Sequence, residues 1–435
     1  MRNTIRQWIL VLAATLLAAC GPSAPPAPLD APSLTGQTII LWHSADGDEE
    51  RRTLLELGDQ FNATNPWRIL VVPEYHGSPA DMAGALKVAI ESGRTPDLLL
   101  GQPIDVTWLG DSVVPVEPYA SDPRYGLSEA DMADLYPAFL DANRDPHRDD
   151  ALVGFPVGGD GTVLVYNADR LAAAGYLTPP NSWPLFREVC LVTTVDRDGD
   201  RRPDIYGFGF TPRPEFVSAW FLSRGAPLLM PDGHTVGFDN PSGVRVLETL
   251  SEAAQGGCFR PTPGPGADLE AFSTGRVAMI FAEASKLREI DRAVRSRSGF
   301  RWGMAPVPYG QQPITLDVNG QSWLILRSTL EKQLAAWLFV RWFAEPEQTL
   351  AWALGTGQLP LRASAADQLR REHDEHSMMV AALDLLPFAQ AAPLVSYWPA
   401  VAEAATRAVL AVVAGDAPEL AHGQARDAVN QLVAP

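Results

Sequence analysis

The stretch Asp196-Arg197-Asp198-Gly199-Asp200-Arg201-Arg202-Pro203-Asp204 sets acids at positions 1, 3, 5 and 9 of one loop. Alternating carboxylates around a glycine suit an oxygen-ligated cation, Ca²⁺ above all. Arg201, Arg202 and the lack of a later bidentate Glu favour the alternative, an exposed acidic turn. A metal on Asp196, Asp198, Asp200 and Asp204 would be structural, and no cofactor is expected to be required. Motifs of catalysis are scarce. Gly320-Gln321-Ser322-Trp323-Leu324 lacks the second glycine of a nucleophile elbow. His373-Asp374-Glu375-His376 is too closely spaced for a zinc-protease helix and fits a solvated face. No phosphate loop occurs. Glycoside hydrolysis needs only two carboxylates, and 52 acids leave that chemistry open as a remote alternative. Cys190 and Cys258 lack metal-ligand spacing. Cys190 sits in an apolar helical pattern, which favours a buried free thiol, with a disulfide as the alternative.

Elements that could position a site alternate along the chain. Strand-like Thr38–Trp42, Ile69–Val72 and Asp97–Leu100 are separated by helix-like Glu49–Asn62 and Met82–Ser92. Such alternation predicts a parallel sheet covered by helices, with ligand at the carboxyl ends of its strands. Those ends carry Trp42-His43-Ser44, Tyr75-His76-Gly77 and Gly101-Gln102. A second α/β set begins near Gly158. It has strands at Thr162–Tyr166 and Val277–Phe281 and helices at Trp183–Val192 and Ser242–Ala254. Ser322–Leu326 is a further strand, and Leu334–Phe343 and Val401–Val413 are helices. Two lobes of similar build are expected, and 435 residues suffice for two or three domains.

The formal charge is −18, with no basic cluster, which argues against nucleic acid and anionic membrane surfaces as partners. Arg2 and Arg6 precede the uncharged run Trp8–Ala19, too short to span a bilayer and built like a secretory signal. It ends in Leu17-Ala18-Ala19-Cys20, which resembles the lipobox of bacterial lipoproteins, where the cysteine is acylated. Gly21–Pro28 is proline-rich and uncharged, a tether by composition. The expected layout is a signal peptide at 1–19 and a lipid-anchored linker at 20–35. The body would then stand outside the cytoplasm on a bacterial membrane, touching it through the anchor only.

Several spaced segments resemble the family 1 extracellular solute-binding proteins of ABC importers, the group that includes maltose-binding protein. They are Gly93-Arg94-Thr95-Pro96-Asp97, Phe155-Pro156 through Tyr166-Asn167, and Ala174-Gly175 with Pro179-Pro180-Asn181-Ser182-Trp183. Phe272 to Met279, Ala336 to Trp342 and Thr356-Gly357-Gln358-Leu359-Pro360 complete the set. The resemblance implies an α/β, two-lobed periplasmic-binding-protein fold (type II) with the ligand cleft between lobes. Lobe one would be 36–157 and 312–363, and lobe two 158–311 and 364–435. It implies a binder and not an enzyme, a monomer that hands a carbohydrate to permease subunits.

A sugar site needs aromatic plates and hydrogen-bonding side chains. Lobe one offers Trp42, His43, Ser44, Asp46, Tyr75, Gln102, Trp108, Asn319 and Gln321. Lobe two offers Asp160, Glu283, Ser285, Tyr397 and Trp398. Asp160 matches the place where maltose-binding protein has a sugar-contacting Glu, Glu283 lies in a loop that the family uses for ligand, and Trp398 neighbours a loop with a stacking aromatic. The opening Ile40–Ser44 is closer to the glycerol-3-phosphate-binding members, which makes a phosphate ester the second reading. Gln358 stands where those proteins carry an aromatic, and Gln390–Pro399 holds no Arg where they supply a cation. A neutral carbohydrate is therefore the expected ligand.

Overall fold

The computed structural model describes residues 34–45, 47–261, 264, 266–310, 316–372 and 378–434, apart from the side chains of Pro261 and Asn319. The expected signal peptide, Cys20, the linker up to residue 33 and Asp46 lie outside the described residues. Strands run in chain order as β1 Thr38–His43, β2 Leu70–Tyr75, β3 Leu98–Gly101, β4 Arg144–Asp145, β5 Ala151–Leu152, β6 Phe155–Pro156 and β7 Asp160–Asn167. There follow β8 Tyr206–Phe210, β9 Phe259–Pro261, β10 Val277–Glu283, β11 Trp302–Pro306, β12 Leu316–Asn319, β13 Ser322–Ile325 and β14 Ala389–Ala391.

The first sheet has the order β2-β1-β3-β13-β6. Its first three strands are parallel, as the alternation predicts. Leu98, Leu99 and Leu100 are fully buried, the continuous apolar run of a strand covered on both faces. The helix Asp48–Thr64 opens with three acids, which favour its positive end, and buries Leu54, Leu57 and Phe61. Ser78 and Asp81 start the helix Pro79–Glu91 with a reciprocal capping box. The Phe61 ring meets Phe339 and Trp342 of the helix Leu330–Phe343, closing the layer over the sheet.

The second sheet has seven strands in the order β14-β12-β7-β10-β8-β9, with β11 also on β7. It is mixed: β7 is antiparallel to β10, β11 and β12, while β8 is parallel to β9 and β10. In the first sheet too, β13 returns antiparallel between β3 and β6. The parallel order expected of β1 to β3 therefore holds and recurs in β8, β9 and β10, whereas β7 and β13, which follow crossings between the sheets, run antiparallel to their neighbours. One such crossing moves a boundary. β12 pairs with β7 and β14, so the passage back to the first sheet falls between Asn319 and Ser322 and not at 312. Likewise Ser364, expected in lobe two, donates to Asp134 through its backbone and hydroxyl.

Cys190 and Cys258 form a disulfide, not the free thiols favoured from the apolar helical pattern. The bond joins the helix Trp183–Thr193 to the entry of β9 across β8. Close approach there depends on Gly207, because a Cβ at that position would lie 1.9 Å from the Cys190 carbonyl oxygen. Ser182 stands at the N-cap position of this helix without a side-chain cap bond. Trp183 is buried and its ring meets Phe186 and Trp220 edge-on, so packing anchors this helix start.

Candidate functional site

The carboxyl ends of β1, β2 and β3 gather the polar and aromatic residues expected of lobe one. Parallel register sets Trp42 opposite Glu74 and His43 opposite Tyr75. Trp42 Nε1 donates to Glu74 at 2.9 Å, and its ring stacks on His76 with centroids 3.7 Å apart. Tyr75 is 49% exposed, with the Arg51 guanidinium 5.6 Å from its ring centre. His43 is buried, and its Nδ1 has no hydrogen-bond partner among the described residues. Burial, aided by repulsion from Arg51 and His76, pushes its imidazole down to about 4, so it is neutral at physiological pH. Ser44, Gln102, Asp105, Trp108 and Gln321 line one cavity of about 150 Å³. Asp105 fixes this corner by accepting from the Gln102 backbone at 2.8 Å and from Trp108 Nε1 at 3.1 Å.

Lobe two contributes a row of acids. Register places Thr162 opposite Glu283 on β10, and the pairing of Gly161 with Val318 brings Asp317 of β12 to its other side. Asp160 lies two residues along β7 on the same face as Thr162. Its Oδ1 accepts from the backbones of Gly161 at 2.8 Å and Ser285 at 3.1 Å. Burial and the neighbouring Glu283 push Asp160 up to about 7. Burial pushes Asp317 to about 7 as well, despite a hydrogen bond from Ser218. The helix Pro214–Leu222 covers this face, and its N-cap residue Arg213 reaches Glu283 at 3.0 Å and is also paired to Glu215. Arg213 and Glu215 are missed in the sequence because β8, whose end delivers Arg213, carries no clear alternation. The signal that could have found these two is the apolar-aromatic run Tyr206–Phe210 followed by Arg213-Pro214-Glu215.

The two groups adjoin. Asp160 faces Asn319 across β7 and β12, and the chain reaches Gln321, on the lobe-one cavity, two residues later. Contacts also cross from one lobe to the other. Arg288 donates to the carbonyls of Leu354 at 2.5 Å and Gly355 at 3.0 Å, and Arg292 pairs with Glu49 at 3.0 Å. A cavity of about 600 Å³ lies beside them, bordered by Glu49, Ser285, Arg288, Arg292, Trp302 and Met379. Tyr397 and Trp398 have partners of their own. Tyr397 donates to the Gly233 carbonyl at 2.7 Å, and half-buried Trp398 opens the helix Trp398–Ala414 against the second core. In the acidic loop, Asp196, Asp198 and Asp204 bring carboxylate oxygens within 4.8 Å of one another, and Asp200 stands outside that group. Backbone amides of Gly199 and Arg201 already donate to Asp196, and Arg197 donates to Asp204.

A strand-end cleft with aromatic, hydroxyl, amide and carboxylate groups binds small polar solutes. The family model for bacterial extracellular solute-binding proteins matches residues 56–380. The sn-glycerol-3-phosphate-binding periplasmic protein UgpB of Escherichia coli K12 is 24% identical over 350 residues, covering 77% of this chain and 76% of the relative. The cyclic α-maltosyl-1,6-maltose binding protein of Arthrobacter globiformis superposes with a TM-score of 0.77 at 19% identity, over 91% of this chain and 98% of that one. The sugar-binding protein MalE of Xanthomonas citri gives 0.75 at 22% identity, over 92% and 98%. The chain thus belongs to the bacterial extracellular solute-binding proteins, the substrate-binding components of ABC importers, and is a binder and not an enzyme.

Proposed function

We propose that this protein captures a carbohydrate between its lobes and delivers it to an ABC permease. The observation that carries this reading is the pairing of exposed and half-buried aromatic side chains with carboxylates whose spare lone pairs can accept from hydroxyls. Trp42, Tyr75 and Trp108 supply the faces, with Trp398 as a further stacking plate. Asp160, Glu283, Gln102 and Ser285 supply the polar fringe. The structural neighbours named for maltose-type sugars support it. The second reading, a glycerol-3-phosphate or related phosphate ester, is favoured by the similarity to UgpB. Against it stand the engagement of Arg213 by two carboxylates and the neutrality of His43. Thermal-shift screening tests the choice, since a ligand that binds only the folded state raises Tm. Neutral oligosaccharides should raise it and glycerol-3-phosphate should not; the reverse result discards the carbohydrate.

The body is further proposed to be a monomer held by an acylated Cys20 on the outer side of a bacterial membrane. Cys20→Ala should abolish acylation and leave a soluble or uncleaved form. A mature N-terminus elsewhere with unchanged membrane retention would contradict this. The acidic loop at Asp196, Asp198 and Asp204 is retained as a candidate for a structural Ca²⁺, with no part in ligand choice.

A further inference from the structure

The second sheet carries more negative charge at its ligand end than sugar hydroxyls require. Asp317, Thr162 and Glu283 sit side by side on adjacent strands, with Asp160 beside them along β7. Glu215 looks onto the same face from the covering helix. Among the described residues, Arg213 is the cation hydrogen-bonded to this group, one guanidinium set against four carboxylates. Thr162 is the independent sign of a missing partner. Its hydroxyl is buried in the middle of the row, at 1% exposure, and makes no hydrogen bond among the described residues. A buried hydroxyl left unpaired costs free energy, and so do carboxylates held together out of water. Neutral hydroxyls can satisfy Thr162 and donate to the acids, but they leave the charge in place. His43 cannot supply it from the opposite wall, because it is neutral.

We propose that the saccharide bound here carries a protonated amine, seated on the row formed by Asp160, Glu283 and Asp317 with Thr162 completing its hydrogen bonds. This rests on the carbohydrate reading and narrows it to amino sugars or amine-bearing oligosaccharides. An ammonium donates three hydrogen bonds and brings the missing positive charge, whereas a phosphate ester would meet the same acids as repulsion. The aromatic faces at the ends of β1 and β2 remain available to the apolar faces of the sugar rings.

Calorimetric titration of the mature protein at pH 7 and low salt tests this with four probes: the glucosamine trimer, its fully N-acetylated counterpart, maltotriose and glycerol-3-phosphate. Acetylation keeps the sugar backbone and removes the charge. The free amine form should bind at least tenfold more tightly, and raised salt should narrow the gap. Glu283→Gln and, separately, Asp317→Asn should each cut that preference at least threefold, with unchanged circular dichroism. Equal or weaker binding of the amine form overturns the inference, as does a preference that neither variant alters. If that failure comes with binding of maltotriose or the acetylated trimer, the carbohydrate reading survives it. Binding of glycerol-3-phosphate alone removes both.

Discussion

Two groups of acids in this protein lie in the second lobe and behave in opposite ways. The loop Asp196–Asp204 is contiguous, exposed and answered by its own backbone amides. The row at Asp160, Glu283 and Asp317 is assembled from three strands and drawn out of bulk water, and burial pushes Asp160 and Asp317 up towards neutrality. Charges that remain in water and accept several amide hydrogen bonds are stable without a partner. Charges drawn out of water by a fold are tolerated where a ligand answers them. The group that stands out in the sequence is thus the one with less need of a ligand.

The largest expected effect separates the scaffold from the row. The Cys190–Cys258 disulfide closes 68 residues of chain behind the acidic loop, and chain entropy sets its contribution at about 4 kcal/mol. Cys258→Ser should lower denaturant stability by about that amount while leaving the solute Kd of the folded protein within twofold. A large loss of affinity at low denaturant would show that the row depends on the staple.

A second variant acts on the row itself. Glu283→Ala should weaken solute binding by about thirtyfold, some 2 kcal/mol, by leaving the solute's donors unanswered. Asp198→Ala in the loop should leave affinity unchanged. Parallel titration checks both, and equal losses would erase the contrast between the two regions.

Asp317 gives the third test, through pH. Its folded carboxyl titrates at about 7, against the ordinary 3.8. Between those values the folded state holds a proton that the unfolded chain has released, so stability falls as pH rises and the full penalty is present above about 7. Asp317→Asn should therefore raise Tm at pH 8 and have no effect near pH 4. The gain is bounded by about 4 kcal/mol, from three units at ~1.36 kcal/mol each. A gain that is the same at pH 4 and pH 8 would mean that packing, not ionisation, is responsible.

How much of this was legible follows from range. β1, β2 and β3 were visible because apolar runs and helical spacing are local, and Trp42, His43, Ser44 and Gln102 came with them as strand ends. Asp160 and Glu283 were reached through the family resemblance. Asp317 was not, because an acid between Leu316 and Val318 has no meaning until β12 is known to pair with β7. The disulfide was hidden for a similar reason: Cys190 reads as core within its own helix, and its partner is 68 residues away.

The smallest effect concerns the loop. Three of its carboxylates converge within 4.8 Å, which meets the spacing of an oxygen-ligated cation, yet Ca²⁺ takes six to eight oxygens and much of this cluster already accepts from amides. Binding should consequently be weak, in the millimolar range typical of extracellular modules. At 5 mM Ca²⁺ with Kd near 1 mM the stabilisation is RT ln 6, about 1 kcal/mol, or roughly 2 °C in a protein of this size. Asp198→Ala should abolish that rise and leave solute specificity alone. The absence of any rise in the unmutated protein would make the loop a turn whose acids are held by backbone amides. A rise that survives in Asp198→Ala would place the ion elsewhere, and the carboxylate row at Asp160 and Glu283 would be the next position to test.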